Sequence, residues 1–359
     1  MNLKELIRPN ILNLKPYTSA RDIYGGEGIL LDANENSFGS TVNGLEIRLG
    51  QLELNRYPDP NQNDLREVVG KYYSIRRENL FFGVGSDEII DLLIRIFCEP
   101  GKDSVLIPEP TYGMYKVACD INNINVKEIL LNNDFQVDLN EVQKYFTAAT
   151  KIIFLCSPNN PTGNLLNKND ILHLCENYNS IIIVDEAYID FAEDGSLINE
   201  ITDHPNLVVL RTFSKAWGLA GIRLGFCAAN SEIIKILFKV KAPYNINALT
   251  RFVVESAIKN SAKKDEFVKV IISEKQKLKQ QLESLEGIIK VFESHANFLL
   301  FKFSNAKEIQ KKLAEQGIIV RDRSTQPKLE NCLRVSVGTE EQNNIFINTL
   351  KEILKQNSF

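Results

Sequence analysis

Apolar runs of strand length recur at 80–84 (LFFGV), 104–107 (SVLI), 126–131 (VKEILL), 151–155 (KIIFL), 181–184 (IIIV), 207–210 (LVVL) and 224–228 (LGFCA). Most are continuously apolar rather than alternating, the pattern of strands covered on both faces. Helical spacing separates most of them: Ile89, Ile90, Leu93, Ile96 and Phe97 share one face of a helix that begins near Ser86. Strands alternating with helices predict an α/β fold with a mostly parallel, doubly wound sheet of about seven strands. Ligands of such sheets sit beyond the carboxyl ends of the strands, and polar clusters follow those ends here.

After Pro243 the texture changes. A lysine-rich helical stretch over about 247–286 leads into short strands at 289–292, 297–303, 317–320 and 332–337, and then a terminal helix. That pattern predicts a smaller α+β domain. The division expected is an arm over 1–27, a large domain over 28–245 and a small domain over 246–359.

Composition narrows the function classes. Over 359 residues the formal net charge is −4, which gives no electrostatic case for nucleic acid or an anionic membrane. The opening MNLKELIRPN lacks the apolar stretch of a signal peptide, and no apolar run approaches the roughly 20 residues of a membrane span. Six scattered cysteines without metal-ligand spacing, beside three histidines, read as free thiols in a reducing cytoplasm with no metal site.

The clusters themselves suit a flat, phosphorylated, nitrogenous ring. Lys215 follows LVVLRTFS and precedes the small-residue run AWGLAG, so an amine sits at a buried strand's end, easier to deprotonate and able to form a Schiff base with an aldehyde. Asp185 ends the run IIIV, where a carboxylate is costly unless it pairs, as with a protonated ring nitrogen. Tyr188 and Asn160, the latter in SPNNPTG, could both reach a ring oxygen, although N-P-T-G is also ordinary turn chemistry. The segment 83–88 (GVGSDE) follows a strand and opens a helix, so its backbone N–H groups could cradle an anion, with the Asp87 and Glu88 side chains turned away. Ser214 and Arg223 flank the lysine and could complete that cradle. Tyr112 could stack on the ring and Tyr57 lies in a loop before the sheet; core packing explains either tyrosine equally well from local sequence.

The ordered set SPNNPTG, VDEAY and RTFSKAWGLAGIRLG resembles the fold type I aminotransferases that use pyridoxal 5'-phosphate. The stretches YGGEGILLDANENSFG, RYPDP, LLIRIFCEPGKD, PTYGMY, GIIVRDR and CLRVSVGT extend the resemblance over nearly the whole chain, towards the histidinol-phosphate aminotransferase family. The resemblance implies that Lys215 carries the covalent link to the cofactor and Asp185 pairs with the pyridine nitrogen. It further implies that Asn160 and Tyr188 hold the ring oxygen, that Tyr112 stacks, and that Ser86, Asp87, Ser214 and Arg223 surround the phosphate. Tyr57 would reach the cofactor phosphate of a neighbouring subunit, which implies a homodimer.

The implied reaction interconverts L-histidinol phosphate and 2-oxoglutarate with imidazole-acetol phosphate and L-glutamate, in histidine biosynthesis. Arg334 and Arg321 are the substrate candidates, because guanidinium suits both a carboxylate and a phosphate. Tyr24 is the third, closing over the same anion. Alternation in LRVSV points Arg334 to the face opposite Leu333 and Val335. Ser37 after N-E-N and Trp217 after the lysine depart from the family's usual proline and phenylalanine. An aromatic or broad-specificity aminotransferase, or a phosphothreonine-type decarboxylase, would share Lys215 and Asp185. A PLP-binding regulator would need a DNA-binding domain for which the sequence offers no basic segment.

Overall fold

The protein is described here by a computed structural model covering residues 1–14, 28–46, 50 and 52–356, so Tyr24 lies outside the described residues, as does 15–27 of the expected arm. Seven strands form the central sheet: β2 (Leu80–Val84), β3 (Ser104–Glu109), β4 (Asn125–Leu130), β5 (Thr150–Cys156), β6 (Ile181–Asp185), β7 (Leu207–Thr212) and β8 (Leu224–Ala229). Their spatial order is β2-β8-β7-β6-β5-β3-β4, with β8 antiparallel to both neighbours and the pairs from β7 to β4 parallel.

The continuous apolar runs divide between two cores. Along β5, Ile153 and Leu155 face one core while Ile152, Phe154 and Cys156 face the other, as the period-two pleat requires. The first core is covered by the helices Asn63–Tyr73, Lys168–Asn177 and Ala248–Lys259, the second by Gly85–Phe97, Met114–Asn122 and Ser231–Val240. Both faces are therefore dry, which is why the strands lack alternation. The doubly wound α/β expectation is met.

The reversal of β8 was not legible from its apolar run, and it matters for function. Because β8 runs against its neighbours, its first residues lie at the carboxyl edge, and Arg223 just before it joins the strand-end clusters. Glycine makes the approach possible: a Cβ at Gly225 would lie 2.5 Å from the Ser86 nitrogen, so β8 presses directly on the start of the Gly85–Phe97 helix. Gly85 itself has φ +74° and accepts no side chain without meeting Arg223 Nη2 at 2.8 Å.

The smaller sheet has the order β12-β13-β10-β9, all antiparallel, from Arg321–Asp322, Cys332–Ser336, Phe298–Lys302 and Lys290–Val291. Its core joins Leu299, Phe301, Leu333 and Val335 to Leu278, Leu282, Leu313, Phe346 and Leu350 of the surrounding helices. Two expectations need revision. The run 317–320 does not enter this sheet: β11 (Ile318–Ile319) pairs in parallel with β1 (Ile29–Leu30), and Arg321–Asp322 takes the edge position instead. The stretch 247–286 is two helices, Ala248–Lys259 and Ser261–Glu283, broken at Asn260, whose side chain donates to the Thr41 carbonyl at 3.0 Å. Val253, Val254 and Ala257 of the first helix belong to the large sheet's core, while Leu31 belongs to the small domain's. We therefore place the domain joint at Asn260 rather than at 245/246.

Gly225→Ala is expected to lower unfolding free energy by about 1–3 kcal/mol, the usual cost of overpacking. A denaturant midpoint that matches the unsubstituted protein would show that the strand and helix have room to separate.

Candidate active site

A cleft of about 330 Å³ opens at the carboxyl edge, between the two domains. It brings together Ser86, Asp87, Tyr112, Asn160, Asp185, Tyr188, Ser214, Lys215, Arg223, Arg321 and Arg334 from residues far apart in sequence. Tyr57 is not among them: it is 82% exposed and stacks on Tyr244 with ring centres 4.6 Å apart.

Asp185 sits at the end of β6 with 3% exposure. Its carboxylate accepts the Tyr115 hydroxyl at 2.8 Å and the Ala187 N–H at 3.1 Å. Burial pushes its pKa up to about 6 in spite of both hydrogen bonds. A positively charged neighbour would stabilise the ionised form, so the strand end is built to receive one.

Tyr188 is held from two sides. Its oxygen accepts Asn34 Nδ2 at 2.9 Å and Asn160 Nδ2 at 3.4 Å, which leaves the phenolic hydrogen as the group it can donate. Burial raises the phenol to about 12, so it stays protonated near neutral pH. Asn160 also accepts Arg334 Nη1 at 2.6 Å, and Arg334 Nη2 donates to the Asp32 carbonyl. Arg334 is 3% exposed and lies over the Phe298 ring, its guanidinium carbon 5.2 Å from the ring centre. The predicted alternation holds: Leu333 and Val335 face the small domain's core, and Arg334 faces the cleft.

Lys215 donates to the Ala33 carbonyl at 2.8 Å and its amine lies 5.8 Å from the Tyr188 ring centre. Burial first, and then the nearby Arg334 charge, pulls its pKa down to about 8. The neutral, nucleophilic form of this lysine is therefore far more accessible near neutral pH than that of an ordinary lysine.

The opposite end of the cleft suits an anion. The first turn of the Gly85–Phe97 helix, with its outward N–H groups, meets the Arg223 guanidinium and the Ser214 hydroxyl. Arg223 is held in place by its own backbone, whose carbonyl accepts the Gly85 N–H at 2.9 Å. One expectation fails here. The Asp87 side chain turns into the cleft rather than away: its carboxylate is 3.6 Å from Arg223 Nη2 and accepts the Tyr112 hydroxyl at 3.2 Å. The helix N-terminus and the guanidinium both favour a carboxylate there. Glu88 does turn away, accepting the Val84 N–H and Asn245 Nδ2.

Several contributors had not been assigned roles from sequence. Tyr115 lies in the first turn of the Met114–Asn122 helix, and its ring meets that of Tyr112, which precedes the helix, edge-on at 5.4 Å. Asn34 stood inside DANEN without a distinguishing feature. Arg323 joins the cleft from the edge of the small sheet. Glu186 accepts Arg211 Nε at 3.0 Å, a buried pair that ties the ends of β6 and β7 together behind the lysine.

The model of the family described as aminotransferase class I and II matches residues 27–350. The chain belongs to the class I and II aminotransferases. Within that family it is 46% identical over 355 residues to the histidinol-phosphate aminotransferase of Christiangramia forsetii, covering 98% of each chain. Among solved structures it resembles the histidinol-phosphate aminotransferase from Clostridium acetobutylicum, at 26% identity and TM-score 0.84 over 91% of this chain and 99% of that one. It shares its fold with the enzyme of that name from Sinorhizobium meliloti in complex with pyridoxal-5'-phosphate, at TM-score 0.87, 21% identity and 98% coverage of both. No helix among the described residues is long and apolar enough to cross a membrane.

The Lys215 environment yields a pH prediction. Capture of added pyridoxal phosphate by the cofactor-free protein, followed as visible absorbance, should quicken as pH rises through about 8, because the neutral amine is the nucleophile. Arg334→Gln removes a nearby cation and should move that midpoint upward; a midpoint that falls or stays would contradict the electrostatic account.

Proposed function

We propose that this aminotransferase interconverts L-histidinol phosphate and 2-oxoglutarate with imidazole-acetol phosphate and L-glutamate, a step of histidine biosynthesis, using pyridoxal 5'-phosphate. One observation carries the reading. Arg321 and Arg334 face each other as register partners across β12 and β13 and line the same cleft as Lys215 and Asp185. An amine-handling site and an anion-handling site are thus continuous. The 46% identity to a histidinol-phosphate aminotransferase over nearly the full chain supports the choice of substrate.

The side chains fit the cofactor. Asp185 is a buried carboxylate suited to a protonated ring nitrogen, and Lys215 offers an amine already lowered to about 8. Ser214, Arg223 and the backbone N–H groups at Ser86 and Asp87 would hold the phosphate. Tyr112 would stack on the ring, and Asn160 and Tyr188 would bond its oxygen. When bound, pyridoxal phosphate supplies an aldehyde for the substrate amine and an electron sink for the pair released at the α-carbon. The Lys215 amine would take the proton from that α-carbon and deliver it to the cofactor carbon that carried the aldehyde. Asp185 would keep the ring nitrogen protonated. Arg334 and Arg321 hold the substrate's carboxylate or phosphate, fixing the α-carbon near the lysine.

We also infer a homodimer in the cytoplasm. Tyr57 and Tyr244 are exposed and stacked on each other, an aromatic pair that suits burial against a second copy, and six free, buried cysteines suit a reducing compartment.

Lys215→Ala should abolish both the visible absorbance of bound cofactor and amino transfer; activity like that of the unsubstituted protein would sink the assignment. Arg334→Ala should keep the absorbance yet cost about 2–5 kcal/mol, roughly 30- to 5,000-fold in kcat/KM, for histidinol phosphate and glutamate together. Arg321→Ala should cost less, and more for the phosphorylated substrate than for glutamate. Turnover of phenylalanine or tyrosine above that of histidinol phosphate would transfer the proposal to an aromatic aminotransferase.

For Tyr57, sedimentation should find a dimer, and Tyr57→Phe should weaken cofactor retention without changing assembly. A monomer that is fully active at nanomolar concentration would remove the cross-subunit role.

A further inference from the structure

The ladder that sets Arg321 against Arg334 continues for one more residue. Arg323 donates its backbone N–H to the Cys332 carbonyl at 2.9 Å, so the strand geometry extends past Asp322. Side chains two residues apart in a strand share a face, which puts Arg321 and Arg323 on the same side. Asp322 between them is occupied elsewhere: its carboxylate accepts the Ser324 N–H at 2.8 Å and the Ser324 hydroxyl at 2.5 Å. Arg321, Arg323 and Arg334 all line the cleft.

The segment that carries Arg323 is fixed to the large domain. The Arg323 carbonyl accepts the Gln326 N–H at 3.0 Å, and Gln326 Nε2 donates to the Thr111 carbonyl at 2.8 Å, beside Tyr112. Lys328 Nζ reaches the Leu131 carbonyl at 2.6 Å. Arg323 is thus held where the small sheet's edge meets the large domain.

Three guanidinium groups lining one cleft, two of them on one strand face, can together meet more acceptor oxygens than two can. A carboxylate brings one charge and two oxygens, which Arg334 and Arg321 can satisfy in full. A phosphate monoester brings nearly two charges and three acceptor oxygens. We propose that Arg323 is the third guanidinium of the substrate-anion site, engaged by the phosphate of a phosphorylated amine and left out by the carboxylate of glutamate. Arg323 would then set the preference for the phosphorylated substrate, while Arg334 and Arg321 serve both substrates. This assignment rests on the proposed use of histidinol phosphate.

The test compares the holoenzyme with its Arg323→Gln and Arg323→Lys variants. Arg323→Gln should lower kcat/KM for histidinol phosphate by about 10- to 100-fold, the range for losing a charged hydrogen bond, and change that for glutamate by less than about twofold. Arg323→Lys should recover part of the loss, because a cation returns without the planar fork. Inorganic phosphate, used as a competitive inhibitor against glutamate, should need a correspondingly higher concentration in Arg323→Gln. Equal losses for both substrates, or unchanged kinetics and phosphate inhibition, would overturn the assignment. If the unsubstituted enzyme does not turn over histidinol phosphate, the proposed function fails, and the phosphate inhibition series alone then decides Arg323.

Discussion

A carboxylate at 3% exposure, with a phenol and one backbone N–H as its partners among the described residues, is an expensive thing to keep at the end of a strand. The Tyr115 hydroxyl helps to make Asp185 tolerable, and Tyr115 itself stacks on Phe154, ring centres 4.6 Å apart and ring planes nearly parallel. Both hydrogen bonds orient the carboxylate at the cleft. The rest is arranged around that point: Lys215 follows the neighbouring strand β7, Asn160 follows β5, and the buried Arg211–Glu186 pair ties the ends of β6 and β7 behind them.

The second constraint is the seam between the domains. β1 pairs with β11, and the chain then continues past Asn34, whose carbonyl accepts Asn297 Nδ2 at 3.0 Å and whose own amide reaches Tyr188. Arg334 meets Asn160 from the other side. The two cores are separate, yet the polar groups between them form one connected set. A substrate held by the small domain is thereby registered against the ring-binding groups of the large one.

How much of this could be read from the chain depends on whether local pattern or long-range pairing decides the feature. The seven large-sheet strands were legible because both faces are buried, which leaves unbroken apolar runs such as IIIV. Lys215, Asp185, Asn160 and Arg223 were legible because each stands beside such a run within a distinctive motif. The direction of β8 was not, since LGFCA carries no mark of parallel or antiparallel pairing. The inward turn of Asp87 was missed because its partners, Arg223 and Tyr112, are distant in sequence. The break at Asn260 was hidden by helical propensity on both sides. Arg323 was passed over because the edge strand that aims it is two residues long and leaves almost no periodicity to detect.

That short edge strand has a wider meaning. Arg321 lies in the outermost strand of the small sheet among the described residues, and Arg323 continues that strand's ladder. Residues there can be exchanged without repacking either core and without touching Asp185, Lys215 or Tyr188. Selection acting on the border of one sheet could thus retune which anion is welcomed, while the bond-making apparatus is inherited unchanged. A family that diversifies its substrates on a constant chemistry has, in such a border, a place to write the difference.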